Sequence, residues 1–335
     1  MKYLIHYIFR FVQKLSIRKL WNLVLLKISY LYSDLRRSPV HWGRPTSISI
    51  EPTTQCNLQC PECPSGLHLF TRPTGMAELN RFEQRLAQLA PDLIYLILYF
   101  QGEPLLHNGF ADMVAAASKK GVFTATSTNA IYLTPKNAEK LVLSGLDDII
   151  VSLDGLDQET YAKYRRGGSY AKAVEGIKNL VEARKRLHLF NPLIRLQFIV
   201  MKHNMHQIDS VKAFGKELGV DRVELKTAQI YDMTDPNKLV PEGTKYARYK
   251  RNAQGLFELK NPMPNRCYRM WSGAVITWDG SLVPCCYDKD ATYKLGNVDE
   301  IPFLSIWKGK AADSFRKRVF ADRKGIDICA NCPER

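Results

Sequence analysis

The chain has 335 residues, 45% of them hydrophobic and 24% charged, with a formal net charge of +15. That is an ordinary globular composition, long enough for one large domain or a large and a small one. Its 8 cysteines lie mostly in clusters within stretches that read as an α/β enzyme. This excludes a small secreted disulfide scaffold and points to metal ligation in a reducing, cytoplasmic compartment.

Residues 1–45 hold nine Lys/Arg against one Asp, so they supply over half of the net charge. They are also dense in large apolar residues, yet Lys14, Arg18, Lys19 and Lys27 interrupt every run. No stretch reaches the roughly 20 apolar residues of a spanning helix, and no signal-peptide pattern follows. The expectation is one or two basic amphipathic helices. They either lie on an anionic membrane surface at the inner face or pack on the catalytic domain. The basic residues are interleaved with aliphatics and no nucleic-acid motif is present, so nucleic acid is not expected.

From residue 46 short apolar runs alternate with amphipathic stretches. Strands are expected at 48–51, 93–100, 122–127, 148–153, 194–201 and 223–226. Helices are expected at 79–89, 110–120, 135–144, 171–187 and 208–218, several marked by Pro at the start or Gly past the end. Such alternation implies a parallel sheet with right-handed crossovers, open or partly closed, with its site at the carboxyl ends of the strands. Residues 227–266, with Pro236, Pro241, Gly243, Pro262 and Pro264, read as a linker with one short helix around 246–257. A small cysteine-bearing module follows at 267–335, where Asp279-Gly280 marks a tight hairpin turn.

Two cysteine constellations carry chemistry. Cys56, Cys60 and Cys63 are spaced C-x3-C-x2-C in a loop after the first strand. Three thiolates hold three irons of a cubic [4Fe–4S] cluster and leave the fourth iron open. A zinc site would need a fourth ligand, and His68 is the sole nearby candidate. The second set is Cys267-x17-Cys285 with Cys329-x2-Cys332. Four thiolates suit a fully ligated cluster or a zinc ribbon. Cys286, beside Cys285, is a spare thiol or its substitute.

The first motif and its surroundings resemble the radical SAM superfamily. Gln101-Gly102-Glu103-Pro104, at the end of the second strand, is similar to the family's Gly-Gly-Glu-Pro element, with Gln101 in place of the first glycine. The resemblance implies that this element receives the amino group of S-adenosylmethionine (SAM). It further implies that Ser127 and Asn129 stand on the ribose side and that Ser152 and Asp154 face the cofactor. Arg165 or Arg166 would meet the methionine carboxylate. Glu62 stands where the family commonly has an aromatic residue before the third cysteine. Residues 267–335 resemble the SPASM/twitch extension, in a short form with enough ligands for one auxiliary cluster. That form is similar to the one in a radical SAM dehydrogenase of aminocyclitol biosynthesis.

The implied fold is a partial (β/α)6 barrel of the radical SAM type over residues 46–226, with the N-terminal helical segment and the small C-terminal α+β extension attached. The implied cofactors are a SAM-binding [4Fe–4S] cluster, one auxiliary [4Fe–4S] cluster and SAM. The implied activity is reductive cleavage of SAM and hydrogen abstraction, with electrons from a flavodoxin- or ferredoxin-like donor and a net oxidation of a small or lipid-linked molecule. A peptide maturase and a non-catalytic iron–sulfur or zinc protein are the alternatives.

Overall fold

The computed structural model describes residues 2–261 and 263–332. Met1, Pro262 in the expected linker and the last three residues of the 267–335 span lie outside the described residues. The chain opens with helices α1 (Lys2–Gln13) and α2 (Ile17–Arg36). The core then runs β1 (Ser47–Ile50), α3 (Leu79–Leu89), β2 (Tyr95–Ile97), α4 (Phe110–Lys119), β3 (Phe123–Thr128), α5 (Pro135–Leu143) and β4 (Asp148–Ser152). It continues with α6 (Gln158–Tyr164), α7 (Tyr170–Arg186), β5 (Leu193–Val200), α8 (Ile208–Leu218) and β6 (Arg222–Thr227). After a hairpin of β7 (Tyr249–Arg251) and β8 (Phe257–Leu259) come α9 (Arg269–Ser272), β9 (Gly273–Ile276), β10 (Ser281–Val283) and β11 (Gly296–Asn297). Helices α10 (Phe303–Trp307), α11 (Lys310–Asp322) and α12 (Asp327–Ala330) end the chain.

The six core strands pair in parallel in sequence order, the curved sheet of a partial barrel. The C-terminal segment extends this sheet: β9 pairs in parallel with β1, and β10 and β11 follow antiparallel. In β5 the residues alternate. Ile194, Leu196, Phe198 and Val200 are buried under the helices, while Arg195, Gln197 and Ile199 face the concave side and are half-buried. Local signals set the helix ends: Thr134 caps α5 with Pro135 behind it, and Gly219 closes α8 at φ +78°.

One expectation is overturned. Residues 246–257 form strand and turn, not helix. Asn252 accepts from the amides of Gln254 and Leu256 at 3.0 Å each, and Gly255 takes φ +77°. This turn reverses the chain so that Tyr249 and Phe257 bury side by side.

Candidate functional site

The carboxyl ends of β1 to β4 and their loops enclose a cavity of about 250 Å³. Cys56, Cys60 and Cys63 form one wall. Gln101, Gly102 and Glu103 face them from the end of β2, with Ser127 and Asn129 after β3 and Ser152 at β4.

The cysteine loop is fastened at several points. The Gly102 amide donates to Ser65 Oγ at 2.8 Å, and that hydroxyl donates to Thr54 O at 3.1 Å. The Glu103 amide donates to Gln55 O at 2.7 Å, and the Gln59 amide to Arg166 O at 2.8 Å. Asn129 Nδ2 donates to Asn57 Oδ1 at 2.9 Å. Gly102 has φ +74°, and a Cβ there would stand 2.4 Å from Thr53 O and 2.7 Å from Gln55 O. Only glycine lets the strand end approach the loop this closely.

The buried Glu103 carboxylate accepts from Thr128 Oγ1 at 2.6 Å, the Asn129 amide at 2.8 Å and the Leu105 amide at 3.2 Å. Burial raises its pKa, and these three bonds oppose the rise. Its carboxylate thus ties the ends of β2 and β3 together, and little of it is left to receive a ligand. Arg165 lines the cavity, held by the fully buried Asp154 at 2.6 Å. Asp154 also accepts from the Ile199 amide at 2.7 Å. Burial pushes the Cys60 thiol up, with the neighbouring Arg165 guanidinium pulling the other way. Burial also takes the Cys56 thiol up to about 12.

Three of the expected contacts stand off the cavity. Pro104 starts a short 3-10 turn over Pro104–Leu106 behind the strand end. Asp154 sits behind Arg165 and reaches the cavity through it. The Arg166 side chain points to Asn237 Oδ1 at 3.3 Å, because the Gly167-Gly168 turn leaves only its carbonyl against the cysteine loop. Several residues that complete the wall were not anticipated: Tyr99, Phe100, Tyr164, Ile199 and, from the C-terminal segment, Lys289. Glu62 also lines the cavity and accepts from the Tyr231 amide at 2.9 Å and Asn237 Nδ2 at 3.1 Å. It therefore anchors the 231–237 segment from the position where Glu62 departs from the family pattern.

All eight cysteines are free thiols. Cys267 and Cys329 share a buried cluster with Leu26, Tyr30 and Trp271, against which Cys285 packs. Arg323 Nη2 donates to Cys332 Sγ at 3.3 Å, and its guanidinium counters the rise that burial imposes on Cys267 and Cys329. Arg323 Nε is buried without a partner among the described residues, a cation facing the thiols in need of an anion. Cys286 packs with Phe100 and Val275 and accepts from Arg269 Nη1 at 3.5 Å.

Among the described residues no three His, Cys, Asp or Glu side chains converge on a point where a single ion would sit. A cubic cluster takes each thiolate on a separate iron. Buried thiols beside guanidinium groups fit this arrangement.

Residues 50–197 match the radical SAM superfamily profile. The chain carries a radical SAM domain. Residues 267–333 match the SPASM iron–sulfur cluster-binding domain, so this radical SAM protein uses SAM, a [4Fe–4S] cluster and an auxiliary cluster. A relative from Pyrococcus furiosus, a tungsten-containing aldehyde ferredoxin oxidoreductase cofactor-modifying protein, is 28% identical across 80% of this chain and 82% of its own. The crystal structure of BtrN in complex with AdoMet and 2-DOIA is similar over 87% of this chain and 93% of its own, with TM-score 0.52 and 22% identity. Streptococcus suis SuiB bound to S-adenosylmethionine is similar over 82% of this chain and 68% of its own, with TM-score 0.61 and 18% identity. At these identities the structural matches establish the shared fold.

Proposed function

We propose that this radical SAM enzyme carries out a net two-electron oxidation of a small polar molecule. In this reading Cys56, Cys60 and Cys63 hold the SAM-binding cluster, and Cys267, Cys285, Cys329 and Cys332 hold the auxiliary one. Loaded with these groups, the site would supply reductive cleavage of the SAM sulfonium, removal of a hydrogen atom from a C–H bond and a sink for the electron left behind.

The chain's own part is positioning and exclusion of water. Arg165, fixed by Asp154, presents a guanidinium to a carboxylate. The Gln101–Glu103 backbone offers carbonyl acceptors for an ammonium group, and Ser127, Asn129 and Ser152 offer short polar contacts to a sugar. Leu58, Phe100 and Ile199 form the apolar part of the wall. Lys289, Glu62 and Tyr99 face the remaining space, a polar set suited to a charged or hydroxyl-bearing substrate.

The observation that carries the oxidative reading is the path of residues 285–289. Cys285 packs with the second thiol set, Cys286 packs against Phe100, and Lys289 lines the cavity. Five residues thus join the two cysteine sets, a short route for an electron leaving the substrate. The cofactor-modifying relative favours a small molecule over a peptide.

The test is anaerobic reconstitution followed by incubation with SAM, a strong reductant and cell extract. About eight irons per chain are expected. Changing Cys56, Cys60 and Cys63 together to Ala abolishes 5′-deoxyadenosine formation. Changing Cys329 and Cys332 spares SAM cleavage but stops the mass change in the extract. Undiminished 5′-deoxyadenosine from the triple variant defeats the assignment, and a modified peptide in place of a metabolite defeats the choice of substrate class.

A further inference from the structure

The two N-terminal helices lie across the amino-terminal ends of the parallel strands, opposite the cavity. Arg10 pairs with Asp147, just before β4. Tyr7 and Phe11 pack on Phe123, the first residue of β3, at 5.2 and 5.7 Å. Lys19 Nζ donates to Gly121 O at 2.6 Å, and Arg18 and Arg44 bind Asp92 ahead of β2 at 2.8 Å each. Tyr30 meets Trp271 ahead of β9 at 5.3 Å. The inward side thus combines the paired groups Arg10, Arg18 and Lys19 with the aromatic rings of Tyr7, Phe11 and Tyr30.

This leaves the apolar side facing out. Ile17, Trp21 and Leu35 are 87%, 62% and 84% exposed, and Ile8, Phe9 and Leu31 are exposed as well. At about 1.5 Å per residue, the exposed apolar positions run on the order of 10 Å along α1, over residues 5–12, and on the order of 27 Å along α2, over residues 17–35. Scattered exposed apolar residues need no explanation, but a continuous strip of this size marks a docking surface.

The charges decide what covers it. The one acid of residues 1–45, Asp34, is bound by Arg37 at 2.9 Å and Arg266 at 3.5 Å. Exposed cations flank the strip: Lys27, Arg36 and Arg37 on α2, with Lys119 and Lys120 beside the turn between the two helices, where Lys14 meets Ser118 and Lys19 meets Gly121. Two copies of such a face repel one another, while an anionic surface attracts it. The apolar positions also include the adjacent pairs Leu20-Trp21 and Leu23-Val24, a wider stripe than a coiled-coil seam. No described helix is long and apolar enough to cross a membrane.

We propose that α1 and α2 dock the enzyme in the plane of an anionic lipid bilayer. The strands of 3 to 8 residues then hold the cavity roughly 10 to 26 Å farther from the lipid, opening away from it. Substrate enters from the aqueous side, and a group buried in the bilayer is out of reach.

The test uses the full-chain holoenzyme with vesicles of phosphatidylcholine alone or mixed with phosphatidylglycerol. Co-sedimentation is expected with the mixed vesicles and about tenfold weaker with phosphatidylcholine or at high salt. A variant with Ile17→Asp and Trp21→Asp, both on the outer face, keeps the thermal midpoint and the yield of 5′-deoxyadenosine but loses about tenfold in vesicle binding. Equal binding of this variant and the parent overturns the proposal. So does a dimer in light scattering that dissociates in the variant while the parent ignores vesicles, since a second copy then covers the strip. A monomer that binds neither vesicle overturns it too.

Discussion

Gly102→Ala separates two effects that glycine substitutions usually mix. Any L-residue at φ +74° carries the left-handed penalty of about 1–2 kcal/mol. At this position the new Cβ would also stand 2.4 Å from Thr53 O, and real contacts begin near 3.0 Å. The strand end or the cysteine loop must therefore retreat by at least about 0.6 Å, against the 2.7 Å bond from the Glu103 amide to Gln55 O. A displacement of that order between bound groups lowers a rate by up to about 100-fold. Gly121→Ala is the control: it shares a positive φ of +67° and has nothing within 4 Å of its Cβ. Both variants should lose about 1–2 kcal/mol in chemical denaturation from backbone strain alone, with the Gly102 variant losing more. Only the Gly102 variant should lose 5′-deoxyadenosine formation, measured anaerobically at saturating reductant. Equal rates for the two variants would refute the claim that close approach, rather than backbone strain, makes Gly102 necessary.

Two further outcomes follow from buried groups. Asp154→Asn strips the counter-charge from Arg165 and should cost about 3 kcal/mol in urea unfolding. Combined with Arg165→Met it should cost clearly less than the sum of the two single changes, and additivity would show that the pair is not coupled. His41 stacks on Trp271 at 5.2 Å with its Nε2 unpartnered among the described residues; burial, with Arg316 and Lys308 nearby, pushes its pKa down to about 3. Because the folded value lies below the unfolded one, its stability contribution is complete above about pH 6.5 and drains away as pH falls toward 3, with about 2 kcal/mol gone by pH 5. His41→Phe should remove that loss, so that the variant gains about 2 kcal/mol on the parent between pH 7.5 and pH 5 in denaturant titrations, and parallel curves would contradict the assignment.

What the sequence made legible was local. Pro135 and Gly219 announced helix ends because each acts on its own backbone, and the apolar period of the core strands named the sheet. The Cys56–Cys63 spacing and Gln101–Pro104 could be read together because they follow consecutive strands of one parallel sheet. Helix α6 went unmarked although Asp157 accepts from the Thr160 amide at 2.7 Å, a capping signal at short range. Lys289 and Arg323 could not be found this way. Lys289 reaches the cavity because Asp290 accepts from the amides of Thr71 at 2.8 Å and Arg72 at 3.2 Å, across more than 200 residues. Arg323 meets Cys332 only through the packing of the final helices. Glu62 was visible as a departure from the family pattern, but its role as an anchor for Tyr231 and Asn237 depends on a segment that reads as featureless linker.

The parallel order also arranges the proposed chemistry along one axis. The mouth of the cavity is at the carboxyl ends, whereas Cys267 and Cys329 pack with Leu26, Tyr30 and Trp271, residues of α2 and of α9 ahead of β9 at the amino ends. An electron passing from the cavity to the second thiol set thus moves away from the substrate entrance and toward the N-terminal helices. Substrate binding and electron exit then use different faces, so a redox partner can reach the auxiliary site with the cavity still occupied. Docking on lipid through the outer side of α1 and α2 leaves both faces uncovered only if the partner approaches from the flank formed by α11 and α12. Charge reversal at the exposed Lys317 or Lys324 of that flank would therefore slow reoxidation of the auxiliary site without changing SAM cleavage.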